Sequence, residues 1–242
     1  MINCIDECGG PSQKGIGAKE IVSGSRDGKV KVWDPRTNHP ITTIEPSNGN
    51  LDCWAVCFGN AFSESERCVA VGYDNGDVRL VDLRTFTIRW QKNVGNGVCG
   101  LSFDRMDIPM NKLSVSCLEG QLNIYDMRTF NPKTGFAGLC ETVGKSTTWS
   151  CQYLPQNRDI MAITCGDGSI RICKYQYPMN RSIRDKDGMK VGVVGSLETL
   201  ALCDSLASQP IIGFDWHISK KGLIASASLD NKLSSYVVTG LE

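Results

Sequence analysis

The stretch SGSRDGKVKVWDPRT, residues 23 to 37, sets a glycine behind an aspartate, runs on through alternating apolar and basic residues, and closes on Asp-x-Arg-Thr. The same layout returns in VGYDNGDVRLVDLRT (residues 71 to 85) and VSCLEGQLNIYDMRT (115 to 129), and more weakly in TCGDGSIRICKYQ (164 to 176) and ASLDNKLSSYVVT (227 to 239). The glycine moves from Gly28 to Gly76, Gly120 and Gly168 in steps of 48, 44 and 48, and Asn231 takes its place 63 residues further on. A period near 45 residues with strand-like content marks repeated units of one sheet each.

Each copy reads as a β-hairpin. Asp27-Gly28, Asn75-Gly76, Glu119-Gly120, Asp167-Gly168 and Asp230-Asn231 suit a two-residue turn, in which glycine or asparagine supplies positive φ at little steric cost. Val30, Val32, Val78, Leu80, Leu122, Ile124, Ile170 and Ile172 alternate with Lys31, Arg79, Asn123 and Arg171 on the outgoing strand. Inner strands are predicted at Ile2 to Cys8, Cys53 to Phe58, Val98 to Phe103, Trp149 to Tyr153 and Ile211 to Trp216. Outer strands are predicted at Ile41 to Glu45, Thr87 to Asn93, around Phe136 to Cys140, and at Leu197 to Leu202. A four-stranded unit of this kind cannot bury both faces alone, and radial stacking of such units gives a β-propeller. The expectation is one all-β domain over residues 1 to 242, with five four-stranded antiparallel blades near 1–46, 51–94, 97–141, 147–202 and 210–242, starting on an inner strand and ending after the third strand of the last blade.

Length and composition agree with that reading. A chain of 242 residues buries roughly three quarters of its unfolded surface, enough for a core without staples. Its 26 basic and 26 acidic side chains are interspersed, which argues against nucleic acid or a membrane surface as partner. MINCIDECGG lacks the layout of a secretory signal, and the chain reads as soluble and cytoplasmic. The twelve cysteines are scattered through apolar runs and read as reduced core thiols. Cys4 with Cys8 and Cys53 with Cys57 are spaced at i, i+4 without a CxxC knuckle, and His39 and His217 lie elsewhere, so neither a metal nor another cofactor is expected.

With Trp33-Asp34 closing its strand, the first copy resembles a WD repeat. The Ser-x-Asp-x-Trp hydrogen-bond set of that family maps onto Ser23 or Ser25, Asp27 and Trp33, while the Gly-His pair that precedes an inner strand in WD repeats would fall upstream of Met1. Five blades, where the family commonly has seven, imply that the chain begins inside a longer propeller. More closely, EIVSGSRDGKVKVWDPR, GYDNGDVRLVDLR, NGVCGLSFDRMDIPMNKL, LEGQLNIYDMRT and LPQNRDI are similar to the Monad family of WD-repeat proteins, linked to axonemal dynein assembly. That resemblance implies a non-enzymatic adaptor whose partners are a prefoldin-like co-chaperone complex with its RuvB-like ATPases, and dynein subunits.

Candidate partner-binding residues follow from position. Arg36, Arg84 and Arg128 recur once per blade and are expected on one rim, each either displayed to a partner or bonded to its own blade's aspartate or a neighbouring carbonyl. The run WDPR, with VDLR and YDMR, also resembles the motif by which WD proteins dock onto a cullin-type ubiquitin ligase adaptor, which would make the chain a substrate receptor. Trp54 and Trp149 stand four residues before Phe58 and Tyr153, in packing positions that can double as anchors. Between Tyr175 and Glu198 the period lengthens by fifteen residues, and Arg181, Arg184, Lys186 and Lys190 with Asp185 and Asp187 form either a charged docking loop or a mobile solvated insertion. Asp27, Gly28, Trp33, Asp34, Gly76, Asp82, Gly120, Asp126 and Gly168 read as the structural residues of the repeat. No nucleophile and base stand in a recognised order and no phosphate loop is present, so a propeller enzyme is the minor alternative.

Overall fold

The computed structural model describes residues 1–8, 19–46, 49, 51–60, 66–105, 108–204 and 206–241. Among these the chain is all β, apart from one 3-10 turn at Leu118–Gly120, and has the strand content and hairpin order of a WD-repeat β-propeller. It divides into two compact units, Met1–Asn111 and Lys112–Glu242.

In the first unit, β1 (Ile2–Cys8), β2 (Glu20–Ser25), β3 (Val30–Trp33) and β4 (Pro40–Ile44) pair antiparallel in chain order. A second sheet repeats the pattern with β5 (Cys53–Gly59), β6 (Cys68–Tyr73), β7 (Asp77–Asp82) and β8 (Ile88–Asn93). The third repeat places β9 (Val98–Phe103) in this unit and β10 (Lys112–Cys117), β11 (Gln121–Asn131) and β12 (Gly135–Thr142) in the other. There, β13 (Thr148–Leu154), β14 (Asn157–Cys165) and β15 (Ile170–Gln176) share a sheet with β18 (Ser196–Cys203), and the intervening β16 (Ser182–Arg184) and β17 (Lys190–Gly192) make a hairpin of their own. The last repeat supplies β19 (Ile211–Trp216), β20 (Leu223–Ser228) and β21 (Lys232–Val237). The inner strands of the first, third and fifth repeats start and end where the alternation predicts, and the others shift by a residue or two.

The turns need one correction. Gly28, Gly76, Gly168 and Asn231 have φ of 75, 87, 78 and 63°, as expected, but the residues before them do not. In the first hairpin Gly28 N–H donates to Ser25 O at 2.9 Å and Ser25 N–H to Lys29 O at 3.1 Å, which closes a three-residue loop on a left-handed glycine. The loop at Gly168 repeats both bonds. Only Glu119-Gly120, with φ of 57 and 72°, forms the two-residue turn. The acidic or amide residue serves the loop differently than positive φ would require, because its side chain accepts the backbone N–H two residues on. Lys29 N–H reaches Asp27 at 3.2 Å, Asp77 N–H reaches Asn75 at 3.0 Å, and Ser169 N–H reaches Asp167 at 3.1 Å.

Those turns fix which side chains face inward. Val22, Val30, Val32, Phe58, Val69 and Val71 meet between the first two sheets, and each such side chain contributes about 1.5–3 kcal/mol by leaving water. Every residue of β6 is buried, so this strand is covered on both faces. Gly72 lets Val98 of β9 approach that strand closely. Arg79 departs from the predicted polar alternation: it is 1% exposed, with its guanidinium 4.9 Å from the Tyr73 ring centroid and 3.6 Å from Asp77. In the second unit Met161, Ile163, Cys151 and Tyr153 form one core, and Ile160, Ile170, Ile172, Ile211 and Trp216 another.

A Cβ on Gly168 would overlap the Ala207 carbonyl oxygen, whereas Gly188 has φ of 76° and open space around it. Gly188→Ala should therefore lower stability by about 1 kcal/mol, the left-handed strain alone, and Gly168→Ala by about 3 kcal/mol. Equal shifts of the urea midpoint for the two variants would contradict this account of the turns.

Candidate functional site

The predicted WD brace is present, split over two serines. Trp33 Nε1 donates to Ser23 Oγ at 2.9 Å, while Ser25 Oγ donates to Asp27 and also reaches Lys29 O at 3.0 Å. Both of the alternative serines are used, one for each half of the set.

In the Asp-x-Arg-Thr segments, the common feature is an aspartate that accepts backbone N–H groups of the following turn. Arg36 N–H bonds Asp34 at 2.9 Å, Arg84 N–H bonds Asp82 at 2.8 Å, and Arg128 N–H bonds Asp126 at 3.0 Å. The side chains then diverge. Arg36 folds back on its own Asp34, Nε to Oδ1 at 2.9 Å and Nη2 to Oδ2 at 2.6 Å. This Arg36 guanidinium, with the Arg36 backbone N–H, brings the Asp34 carboxyl down to about 2. Asp82 is approached instead by Arg89 at 3.9 Å, and the exposed Arg84 guanidinium makes no hydrogen bond or ion pair among the described residues. Asp126, 1% exposed, is claimed by Arg181 from 55 residues away, Nε to Oδ2 at 2.7 Å. Among the described residues, then, the Arg36 side chain is bonded to its own blade's aspartate, whereas the Asp126 carboxylate is bonded by Arg181.

Arg181 lies within the insertion, immediately before β16. Its guanidinium lies 4.7 Å from the Tyr177 ring centroid, and Asn131 Nδ2 donates to Lys190 O at 2.8 Å, fastening β17 to β11. Gly192 is a close-approach residue, since a Cβ there would meet the Thr129 and Ala137 side chains. Beneath lies a fully buried lysine that sequence reading missed. Lys112 Nζ bonds Asp159 Oδ1 at 2.7 Å and Tyr177 Oη at 2.8 Å, with the Tyr153, Tyr175 and Tyr177 ring centroids 5.6, 5.6 and 4.8 Å away. A desolvated cation held by one carboxylate, the Tyr177 hydroxyl and the neighbouring Tyr153 and Tyr175 rings is an anchor for the chain segment that carries Tyr175 and Tyr177. Arg184 and Lys186 sit exposed at the hairpin tip, where Asp185 caps the turn by accepting from Asp187 N–H at 2.9 Å and Met189 N–H at 2.8 Å.

Trp54 and Trp149 are half-buried in β5 and β13, and the Trp149 Nε1 is buried without a hydrogen-bond partner among the described residues. Cys68 and Cys151 thiols are pushed up to about 12 by burial, which suits core packing rather than reactivity. Among the described residues, no three His, Cys, Asp or Glu side chains are grouped to hold a metal ion, and no helix is long and apolar enough to cross a membrane.

A second feature that the sequence did not disclose lies after Asp82. Phe86 takes φ of 55°, its N–H donating to Asp82 O at 2.8 Å while Asp82 N–H donates to Thr87 O at 2.9 Å. Left-handed backbone disfavours a bulky residue by about 1–2 kcal/mol, and burial of half of this side chain offsets about 1 kcal/mol of that strain, so the ring is held in place without a net gain to the turn.

The model of the WD domain, G-beta repeat, matches residues 2–34. Over its whole length the chain is 50% identical to dynein axonemal assembly factor 10 of Xenopus laevis, 48% to that of Homo sapiens and 47% to that of Chlamydomonas reinhardtii, covering 68% of each. The chain belongs to the dynein axonemal assembly factor 10 family. This bears out the likeness to Monad-type WD-repeat proteins drawn from the repeat segments. The braces and capped turns above are the parts that build the blades of such repeats.

Two results are expected. Lys112→Met takes the cation from Asp159, whose carboxylate keeps access to water, and should cost about 1.5–3 kcal/mol, with faster hydrogen exchange over residues 177–192 than over β14; uniform acceleration would refute the anchoring role. Asp34 is more acidic folded than unfolded, so its contribution is complete above about pH 5 and fades as pH falls towards 2. Urea midpoints of Asp34→Asn should accordingly depend less on pH below 4 than those of the parent, and parallel profiles would contradict the assignment.

Proposed function

We infer that this chain is a non-enzymatic protein-binding scaffold in the cytoplasmic preassembly of axonemal dyneins, working with a prefoldin-like co-chaperone complex and its RuvB-like ATPases. The observation that carries the reading is 47–50% identity along the entire chain to proteins named dynein axonemal assembly factor 10. What supports the scaffold half is that the repeat aspartates, Trp33, Lys112 and Arg181 are engaged in turns, braces and one anchor, while a blade platform offers wide surfaces for protein contact. Arg84, Arg128, Trp54, Trp149, Arg184 and Lys186 are the contact residues proposed on those surfaces. The reading as receptor of a cullin-type ligase draws less support, because Arg36 of the WDPR run is held by Asp34.

In cells that build motile cilia, removal of the gene should deplete dynein heavy chains from axonemes several-fold, and re-expression should restore them, as read by quantitative proteomics of isolated axonemes. Unchanged dynein content would overturn the assembly role. Co-purification of a ligase adaptor with no chaperone or dynein subunit would favour the receptor reading instead.

A further inference from the structure

We propose that the groove beside Phe86 is a docking slot for a partner segment that presents one leucine or phenylalanine side chain next to an aspartate or glutamate. The slot is a cavity of about 160 Å³ between the first two sheets, lined on its apolar side by Ile41, Leu83 and Phe86 and edged by Arg84. That volume matches one large apolar side chain, since an apolar cavity of roughly 150 Å³ accommodates a benzene ring.

Three observations converge on it. First, Phe86 is the wrong residue for its backbone. Glycine or asparagine would make the same two turn bonds without strain, so the turn gives no reason for an aromatic ring there. Phe130, which holds the matching place in DMRTF, lies in β11 without positive φ and packs at a tilt against Phe136 with centroids 5.1 Å apart, whereas no ring partner accompanies Phe86 among the described residues. Second, Phe86 and Ile41 are each half-exposed and line the same cavity, leaving an apolar slot open to solvent.

Third, charge selects the occupant. Arg67 and Glu20 at the cavity wall neutralise one another, with Arg67 Nη1 to Glu20 Oε1 at 3.0 Å and Nη2 bonded to the second oxygen. What remains is the exposed Arg84 guanidinium, whose charge acts on Asp82 through space and which makes no side-chain hydrogen bond or close ion pair among the described residues. An apolar slot with one available cation fits an apolar side chain flanked by a carboxylate, the anion pairing in bidentate fashion as the ring or alkyl group leaves water.

The proposal rests on the scaffold reading but is tested apart from it. A phage library of random twelve-residue peptides is selected on the full chain, and enriched peptides are synthesised and titrated by fluorescence anisotropy. Enriched sequences should carry leucine or phenylalanine within two residues of aspartate or glutamate. Phe86→Gly, which suits the φ of this turn, should bind them at least tenfold more weakly; Phe86→Asn is the second variant should glycine loosen the loop. Arg84→Glu should lose acidic peptides and gain those in which lysine replaces the carboxylate. Thermal melts confirm that each variant is folded. Absence of such enrichment, or equal affinity for parent and folded variants, would overturn the slot. Neither outcome touches the dynein content of axonemes, so the scaffold reading stands or falls separately.

Discussion

The structure depends on a hairpin loop that closes on a left-handed glycine and is tied by the side chain of the residue before it. Asp27 and Gly28, Asn75 and Gly76, and Asp167 and Gly168 each make this loop, and its consequence is register. A slip of one residue would turn Val30 and Val32 out of the core and Lys31 into it. Once register is set, strands such as β6 have no face left for water, and only a neighbouring sheet can satisfy them. Repetition of the loop and stacking of the sheets are in this sense one constraint seen at two scales.

The aspartate that follows each outgoing strand shows how a repeat is adapted without being abandoned. Asp34, Asp82 and Asp126 all accept the backbone N–H two residues on, so the turn is kept. Their spare carboxylate capacity is spent on different cations: Arg36 locally, Arg89 from the adjacent strand, and Arg181 from an inserted hairpin. The third choice, with Lys112 and its tyrosines, ties the long insertion to the body of the second unit. What the sequence suggests as a charged docking segment is consequently anchored through Arg181 and Lys190, while Arg184 and Lys186 at its tip remain in solvent.

How much of this was legible follows from distance along the chain. Turn glycines, inner strands and the Trp33 brace are written within about fifteen residues, so β1, β9 and β19 fall where the alternation puts them. The loop type was misread because Asp-Gly is compatible with two hairpin closures, and the choice is made by the backbone of Arg26 and Asp27 rather than by residue identity. Lys112 was invisible for another reason: its partners Asp159 and Tyr177 lie 47 and 65 residues away, and a lysine in a strand pattern reads as solvent-facing. Phe86 left no trace either, since nothing in LRTFT distinguishes it from Phe130 in MRTFN until the backbone angle is known.

The central claim is that stacking of turn-registered sheets, rather than any single sheet, holds the platform together. Amide hydrogen exchange read by mass spectrometry addresses it most directly, because it ranks strands by the cost of exposing them. The account predicts that β6, covered on both faces, exchanges slowest and close to the global unfolding limit. It also predicts that β1, with Ile2 and Ile5 62% and 66% exposed, and β21, with Leu233 82% exposed, exchange orders of magnitude sooner. Equal protection of β1, β6 and β21 would contradict it.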